Sequence, residues 1–314
     1  MTTQPPIADS TPAQRSTRDA PSADGGDPHQ ALVDRALNGD RAGLDALCRS
    51  LAGPIYRLAL RMLAHPEDAE DATQEVLVKV ATHLSSFRGD SRVLTWAYTI
   101  ATRHLLKRRK GRREHEVRTA HIAALVDSGL AITTSTSQPA GDAKVLEREV
   151  RLACTQNMLL SLSRQERIAL ILVEILGASA TVGADICEVR TETFRQRLSR
   201  ARAKLRPILE ERCGLSAPSL PCQCRRQAAA KQKACIDQPR HWTKLPVLSD
   251  EDVARAQDQL QTAHRWGAVF AWDPPIAPPR TLWASIAPRH LHRTARAVSS
   301  SGAVGRCMPF VWRP

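Results

Sequence analysis

The stretch Gly177–Arg206, GASATVGADICEVRTETFRQRLSRARAKLR, has the pattern of a helix-turn-helix. A short helix is predicted from Ser179 to about Cys187, followed by a polar turn over residues 188–190. The longer helix that follows is expected to use Thr191 as its N-cap, because a threonine hydroxyl can accept a hydrogen bond from an orphan amide. Apolar residues then recur at spacings of three and four, which predicts one buried stripe: Phe194, Leu198, Ala201 and Leu205.

The other faces of this second helix are strongly basic, which suits a helix that lies in the major groove of DNA. Its first turn, Thr191 to Gln196, would reach base edges, and the arginines further along would contact phosphates. An ordinary surface helix with a solvated basic face has the same pattern, so this stretch alone leaves both interpretations open. The candidate DNA contacts are Thr191, Glu192, Thr193, Arg195, Gln196, Arg197, Arg200 and Arg202.

The composition points to a polyanionic partner. The 314 residues include 45 Lys and Arg against 32 Asp and Glu, a net charge of +13, and the pI is about 9.9. Nucleic acid is favoured over a membrane, because the sequence has no lipid-anchoring motif and no long apolar run. Eight scattered cysteines without a signal sequence favour the reducing cytoplasm over a disulfide framework.

The length allows two or three domains. Residues 1–28 are rich in Pro, Ser, Thr, Asp and Gly and lack the apolar core of a signal peptide, which predicts a disordered tail. Residues 114–144 are small, polar and weakly periodic, which predicts a flexible linker. Helical pattern resumes at Val145, and Ser163 is predicted to cap the next helix in a capping box with Glu166.

The first helical block spans roughly residues 30–110, with a predicted break near Gly53-Pro54 and an end at His65-Pro66. The next helix is predicted over Asp68–Phe87. Its acidic start suits the helix dipole, and it also fits a docking surface for another protein.

A polar loop, Arg88–Arg92, precedes a third helix that begins near Val93 and continues into Lys107–Arg113, where six of seven residues are basic. An aromatic residue such as Trp96 beside a polar loop and a basic run is typical of single-stranded DNA binding. Trp96 also lies on a helical stripe, so core packing is the alternative.

Together the two blocks resemble the extracytoplasmic-function group of bacterial RNA polymerase sigma factors, in the sigma-70 family. DAEDATQEVLVKVATHLSSFRGDSRVLTWAYTIATRH, residues 68–104, is similar to the first conserved domain of that group. LSRQERIALILVEILGASATVGADICEVRTETFRQRLSRARAKL, residues 162–205, is similar to the second. The resemblance implies an all-α fold with two small domains, residues 29–113 and 145–213, and a C-terminal extension over residues 214–314.

The resemblance also implies roles. Asp71, Gln74 and Glu75 match the helix that binds the clamp helices of the largest subunit of core RNA polymerase. The helix that opens at Thr191 matches the reader of the −35 promoter element. The region that opens the −10 element and captures a flipped base is matched by Arg88, Gly89, Asp90, Ser91, Arg92, Trp96 and Arg103, with Lys107 and Arg108 behind it. Promoter DNA and core polymerase are the implied partners, an anti-sigma factor is a further candidate, and no catalysis is implied.

Three residues depart from the family pattern. Glu188 stands at the helix-helix turn where a glycine is usual, and a left-handed backbone there would cost a non-glycine residue roughly 1 kcal/mol. Gly183 replaces a residue that is usually large and apolar. Arg103 stands where an asparagine is common, which would alter the −10 preference.

The C-terminal extension contains a Cys-x-Cys, and some sigma factors of this group carry a similar extension that is thought to be regulatory. Cys222, Cys224, Cys235 and His241 are candidate ligands for zinc or another soft metal. The spacing is not the Cys-x-x-Cys of strong zinc sites, so unligated thiols and no cofactor are the prediction. Residues 250–266 are predicted to form one helix, and Trp266, Phe270, Trp272 and Trp283 are expected to pack it on the sigma domains or on a partner. The last 25 residues remain unassigned.

Two other classes compete with the sigma-factor interpretation. A free-standing helix-turn-helix regulator would need a dimerisation element and would have no use for the face formed by Asp71, Gln74 and Glu75. A metal-dependent nucleic-acid enzyme built on the C-terminal cysteines would need a general acid or base, and Asp237 is the only carboxylate close to them in the sequence. A sigma factor accounts for both helical blocks.

Overall fold

The computed structural model describes residues 27–108 and 140–228, together with Asp127, Val269 and Phe270. Within these residues every regular element is a helix, and Cys213 and Cys222 form an isolated parallel β-bridge. The all-α prediction is therefore confirmed. No helix in these ranges is long and apolar enough to cross a membrane.

The helices fall into two sequential groups. The first domain contains α1 (Gln30–Leu37), α2 (Arg41–Leu63), α3 (Pro66–His83), a 3-10 turn (Leu84–Ser86) and α4 (Val93–Lys107). The second contains α5 (Ala140–Leu160), α6 (Arg164–Leu170), a π-helical segment (Ile171–Ile175), α7 (Ala180–Cys187) and α8 (Thr191–Leu209).

The predicted break at Gly53-Pro54 is wrong, because α2 runs through Pro54 without interruption. Leu51 and Ile55 on either side of it are fully buried, and this packing outweighs the hydrogen bond that proline removes. The break lies at Gly39 instead, which has a φ of 85°. Asp40 then caps α2 by accepting a hydrogen bond from the Ala42 amide at 2.9 Å.

Two other helices begin earlier than predicted. α3 starts at Pro66 rather than Asp68, because proline at the first helical position loses only an amide that would be orphaned anyway. α5 starts at Ala140 rather than Val145, so the end of the predicted linker is helical. Of the remaining linker residues only Asp127 belongs to the described part of the chain.

Of the two helix caps predicted from the sequence, one is confirmed and one is wrong. Ser163 and Glu166 form the predicted capping box, and Ser179 caps α7 by accepting from the Val182 amide. The predicted Thr191 cap is wrong: Arg190 occupies the N-cap position of α8 without a side-chain hydrogen bond, and Thr191 is the first helical residue. The extended backbone at Arg190, which follows the turn at Glu188, decides where the helix begins.

Gly183 and Phe194 are complementary in size. A Cβ atom at Gly183 would lie 2.3 Å from Cζ of Phe194, so the ring occupies the space that a larger side chain at residue 183 would need. Phe194 is completely buried. The missing side chain on α7 is therefore compensated by an aromatic ring on α8.

Glu188 has the left-handed backbone expected at the helix-helix turn, with a φ of 53° and a ψ of 45°. The position that is usually glycine thus carries a charged side chain in a strained conformation, at a cost of roughly 1 kcal/mol.

The two domains pack against each other. Three buried side chains of the second domain donate hydrogen bonds to carbonyls at the C-terminal ends of α2 and α4: Gln156 to Arg61 at 2.9 Å, Arg167 to Met62, and Arg164 to both Leu105 at 3.2 Å and Arg108. Because the last carbonyls of a helix have no partner within the helix, these contacts satisfy the termini of the first domain from outside it.

Part of the C-terminal extension joins this core. Val269 and Phe270 are buried in the same hydrophobic cluster as the helices, in line with the predicted packing of Phe270 on the sigma domains. The predicted helix over 250–266, the three tryptophans at 266, 272 and 283, and the last 25 residues lie outside the described residues.

Candidate nucleic-acid and polymerase interface

The predicted docking residues lie on one accessible side of α3. Asp71 and Glu75 are exposed and Gln74 is half-buried, while Ala72 and Val76 on the opposite side are buried. Asp71 and Glu75 lie beyond the first turn of the helix, where stabilisation by the helix dipole has faded. Helix capping therefore accounts for Glu67 and Asp68 but not for these two acids.

Glu75 also contacts the end of α4. Its carboxylate lies 3.5 Å from the Arg108 guanidinium and 3.7 Å from Nε2 of His104. Arg108 also lies 3.5 Å from Asp68, and its side chain is mostly buried. This predicted DNA contact is thus held between two acids of α3.

The loop between α3 and α4 is fully accessible. Residues 88–92 are all exposed, and Gly89 has a φ of 80°, which permits a sharp turn there. Behind the loop, Trp96 is half-buried and its ring centroid lies 5.4 Å from that of Phe87, with the planes at 54°. Trp96 is therefore neither a core residue nor fully exposed, and one side of it borders an open cleft.

The cleft between α3 and α4 has a volume of about 490 Å³. The predicted residues Trp96, Arg103 and Lys107 line it, together with residues that sequence reasoning missed: Lys79, His83, Ser86, Ile100 and His104. A usable signal exists in the helical spacing, because Lys79 and His83 are four residues apart and so project on one face of α3. The walls of the cleft combine the indole ring of Trp96 with cationic side chains, and a site for an unstacked base requires both.

His104 is one of the residues that line this cleft. Burial lowers its pKa, and the nearby Lys79 and Arg108 lower it further, while Glu75 acts in the opposite direction. The Lys79 ammonium lies 2.7 Å from Nδ1 of His104, so this nitrogen is the acceptor. Protonation of Nδ1 would break that bond.

The Arg103 side chain makes an ion pair within the protein. Its guanidinium donates two hydrogen bonds to the Glu188 carboxylate, one from Nε at 2.9 Å and the other from a terminal nitrogen. This bidentate pair joins α4 to the helix-turn-helix turn, and it raises the pKa of Arg103.

The predicted −35 residues lie in two groups on α8. Glu192, Arg195, Gln196 and Arg200 are exposed, whereas Thr191, Thr193 and Arg197 are half-buried beside α7. Arg202 differs from the others: its Nε lies 2.8 Å from a carboxylate oxygen of Glu174, whose side chain is almost fully buried. Lys204 similarly donates to Glu166 of the capping box at 2.7 Å.

The Cys-x-Cys thiols lie in surroundings that disfavour the thiolate form. Burial raises the pKa of Cys222 to about 11 and also raises the pKa of Cys224. Among the described residues no group of three or more His, Cys, Asp or Glu is arranged to hold a metal ion. Cys235, His241 and Asp237 lie outside the described residues.

The described residues thus combine a basic helix, an open cleft lined by an indole ring and several cations, and an acidic face on α3. Comparison with known proteins places the chain in a family. The family described as Sigma-70 region 2 matches residues 47–115, and Sigma-70, region 4 matches residues 152–205. The chain belongs to the extracytoplasmic-function group of the sigma-70 family, whose members direct promoter-specific transcription initiation by RNA polymerase.

Named relatives cover both domains. The RNA polymerase sigma-H factor of Pseudomonas aeruginosa is 30% identical over 190 residues, which are 58% of this chain and 96% of the relative. The sigma factor EcfG of Rhodopseudomonas palustris is 32% identical over 155 residues, 49% of this chain and 78% of the relative. The sigma factor YlaC of Bacillus subtilis is 31% identical over 166 residues, 53% and 91% respectively.

Proposed function

We propose that this sigma factor divides its contacts with the transcription complex among three surfaces. Asp71, Gln74 and Glu75 on α3 contact the clamp helices of the largest polymerase subunit. The loop over residues 88–92 and the cleft behind it bind the non-template strand of the −10 element. The first turn of α8 reads the −35 element.

The observation that carries this proposal is the segregation of charge. The chain has a net charge of +13, yet α3 has five acids between Glu67 and Glu75 and no Lys or Arg before Lys79. An acidic face repels DNA phosphates, so a helix of this kind in a basic DNA-binding protein is suited to contact a protein. A free-standing regulator has no use for such a face.

The −10 assignment is supported by the combination of side chains around the α3–α4 cleft. Trp96 offers an aromatic surface to an extruded base, while Lys107 and Arg103 can contact the phosphates beside it. Extraction of a base costs a few kcal/mol, and a cleft of this kind can offset that through stacking and ionic contacts.

The −35 assignment is supported by the division of α8 between a buried stripe and an exposed first turn. Phe194 and Leu198 hold the helix on the second domain, which leaves Arg195 and Gln196 accessible to base edges. Arg200 is exposed one turn further on, where a phosphate contact is expected.

Two of the predicted DNA contacts are better explained as positioning residues. Arg202 is bound to the buried carboxylate of Glu174 and fixes α8 on the π-helical segment. Arg108 is held by Asp68 and Glu75 and so couples the end of α4 to α3. We assign both to the support of the DNA-binding surfaces rather than to the DNA itself.

We infer further that the protein performs no catalysis of its own and works in the cytoplasm, where core polymerase and promoter DNA are found. The anti-sigma factor remains a candidate partner.

The proposal is tested with Asp71→Arg, which reverses one exposed charge on α3 without disturbing the Glu75–Arg108 contact. Like charges placed together at an interface cost several kcal/mol, so binding to purified core polymerase should fall by roughly 100-fold or more. Asp34→Arg is the matched control, since Asp34 is exposed on α1 and the charge change is the same.

Affinity is measured by fluorescence anisotropy, and promoter activity by run-off transcription on a library of genomic promoters. Loss of both in Asp71→Arg and retention of both in Asp34→Arg support the proposal. Equal affinity of the two variants for core polymerase would reject the docking role of α3. Failure of the unmodified protein to start transcription at any promoter would reject the whole assignment.

A further inference from the structure

Two of the three departures from the family pattern contact each other. Arg103 on α4 and Glu188 at the helix-helix turn are 85 residues apart in sequence, and together they form the bidentate ion pair described above. Taken separately, each residue is only a local departure from the residue type that is usual in the family at its position. Their contact suggests that both serve one purpose, because either charge without the other would gain nothing from the pairing.

The backbone at Glu188 strengthens this interpretation. A glycine would adopt its left-handed conformation without strain, and a glutamate does so at a cost. The Glu188 side chain contacts the other domain, because its carboxylate accepts a hydrogen bond from Arg103.

The ion pair lies at the edge of a wider contact between the domains. α4 packs along α7, and Arg164 of α6 donates to the last carbonyls of α4. Arg164 and Arg167 are buried there, whereas the side chains of Arg103 and Glu188 are about half exposed at 53% and 50%. The ion pair is therefore the accessible, salt-sensitive part of this interface.

This arrangement cannot serve both promoter elements at once. Sites about 10 and about 35 base pairs upstream of the start are separated by roughly 85 Å of B-DNA at about 3.4 Å per base pair. Glu188 touches Arg103, and the Cα atoms of Glu188 and Thr191 lie at most about 11 Å apart across three residues. The −10 cleft and the −35 helix are therefore much closer together than the DNA they would read.

We propose that the Arg103–Glu188 pair is an interdomain latch, a contact that holds the free protein in a closed form. In this form the Glu188 carboxylate binds the Arg103 guanidinium, which would otherwise contact a phosphate of the −10 element. DNA phosphate and Glu188 compete for the same side chain, so opening of the domains and engagement of the −10 strand are coupled. This inference rests on the proposed function, because it takes Arg103 as a DNA-contacting residue.

The test measures domain separation without DNA or polymerase. The chain has eight cysteines, so two dyes are attached through unnatural amino acids at Ser85 and Ser199, which are exposed and lie in different domains. Single-molecule energy transfer then gives the ratio of closed to open molecules. The variants are Glu188→Arg, Arg103→Glu, the double exchange, and Glu188→Gln, with Asp185→Asn as the matched control on exposed α7 surface.

An exposed pair of this kind changes an equilibrium by roughly two- to fivefold. Glu188→Gln should lower the closed-to-open ratio by about that factor, and the two single reversals should lower it at least as much. The double exchange should restore it, and Asp185→Asn should leave it unchanged. Raising the salt from 0.1 M to 1 M should open the unmodified protein but have less effect on Glu188→Gln.

Equal ratios for the unmodified protein and the single variants would overturn the proposal, and so would a double exchange that fails to restore the closed form. Glu188→Gly guards against misfolding, because it relieves the backbone strain while removing the carboxylate, and it should open the protein as Glu188→Gln does.

Run-off transcription at limiting core polymerase separates this inference from the proposed function. Glu188→Gln should raise the yield by roughly two- to fivefold over Asp185→Asn. A shift in energy transfer with an unchanged yield would mean that the contact exists but does not limit initiation, which rejects the latch. No transcription from any variant, despite the shift, would instead reject the proposed function.

Discussion

Arginines on α8 and arginines on α4 have the same chemistry but different surroundings. Arg195 and Arg200 on α8 are exposed and directed away from the core. Arg103 on α4 and Arg108 at its C-terminal cap are bound to carboxylates of the chain itself, which lie at the end of α7 and on α3 respectively. Under the proposed function, Arg195 and Arg200 can therefore contact DNA directly, whereas Arg103 must exchange its internal partner Glu188 for a phosphate.

This difference assigns separate tasks to the two domains. Exposed guanidinium groups contribute to encounter and to readout as soon as DNA approaches. A guanidinium that is already paired adds to the binding free energy only the difference between its interaction with the DNA phosphate and its interaction with the internal carboxylate. If the proposed latch is correct, binding at −10 depends on domain opening.

Arg167 gives the strongest test of the contrast between buried and exposed arginines. It is almost fully buried and donates to carbonyls of both domains, including Leu159 at 2.8 Å and Leu162 at 3.1 Å, as well as Met62. Arg167→Met leaves these acceptors without a charged donor and should lower the free energy of unfolding by about 3 kcal/mol or more.

Urea denaturation followed by circular dichroism measures this effect. Arg200→Met is the control, because Arg200 is exposed and its replacement should change the stability by less than about 0.5 kcal/mol. Arg167→Lys should give an intermediate loss, since an ammonium cannot reach as many acceptors. Equal stability of Arg167→Met and Arg200→Met would contradict the role of Arg167 in joining the domains.

Arg195→Ala sharpens the comparison on DNA. If Arg195 makes a bidentate contact with one base, the variant should lose about 1–3 kcal/mol at that base pair and become tolerant of substitutions there. Arg200→Ala should weaken binding to all sequences alike and reduce the salt dependence. Competition binding of the holoenzyme to systematically altered −35 elements measures both. A uniform loss for Arg195→Ala would reassign it as a phosphate contact.

His104 gives the smallest effect, and it concerns pH. Its pKa is lowered in the folded protein, so the unfolded chain binds the proton more tightly. Stability should therefore fall as the pH drops below about 6.5 and level off once the folded protein is protonated as well. His104→Gln should show a weaker fall between pH 7.5 and 5.5 by urea denaturation, with His83→Gln as the exposed control. Parallel pH profiles for all three proteins would show that His104 does not contribute.

Much of the fold could be predicted because it depends on local periodicity. The stripe Phe194, Leu198, Ala201 and Leu205 is buried as expected. Ala69, Ala72, Val76 and Val80 on α3 have the same helical spacing and are buried too. A helix that must bury one face carries that requirement in its spacing. The capping box at Ser163 and the N-cap at Ser179 are equally local, since donor and acceptor lie within three residues.

Prediction failed where packing opposed a local preference. Pro54 has the sequence signal of a break, but its neighbours are buried on both sides and the helix continues. Thr191 has the chemistry of a cap, yet the left-handed turn at Glu188 places the helix start one residue earlier along the chain and puts Arg190 in the cap position.

The sequence by itself determined the net charge of +13 through its composition, and the two helical domains and the helix-turn-helix through residue types at short spacings. Only the tertiary structure decided which charges meet. Arg103 and Glu188 are 85 residues apart, and nothing in either helix specifies the other as its partner. Contacts between domains depend on how whole surfaces fit together, and that information is spread over both domains rather than written in any one segment.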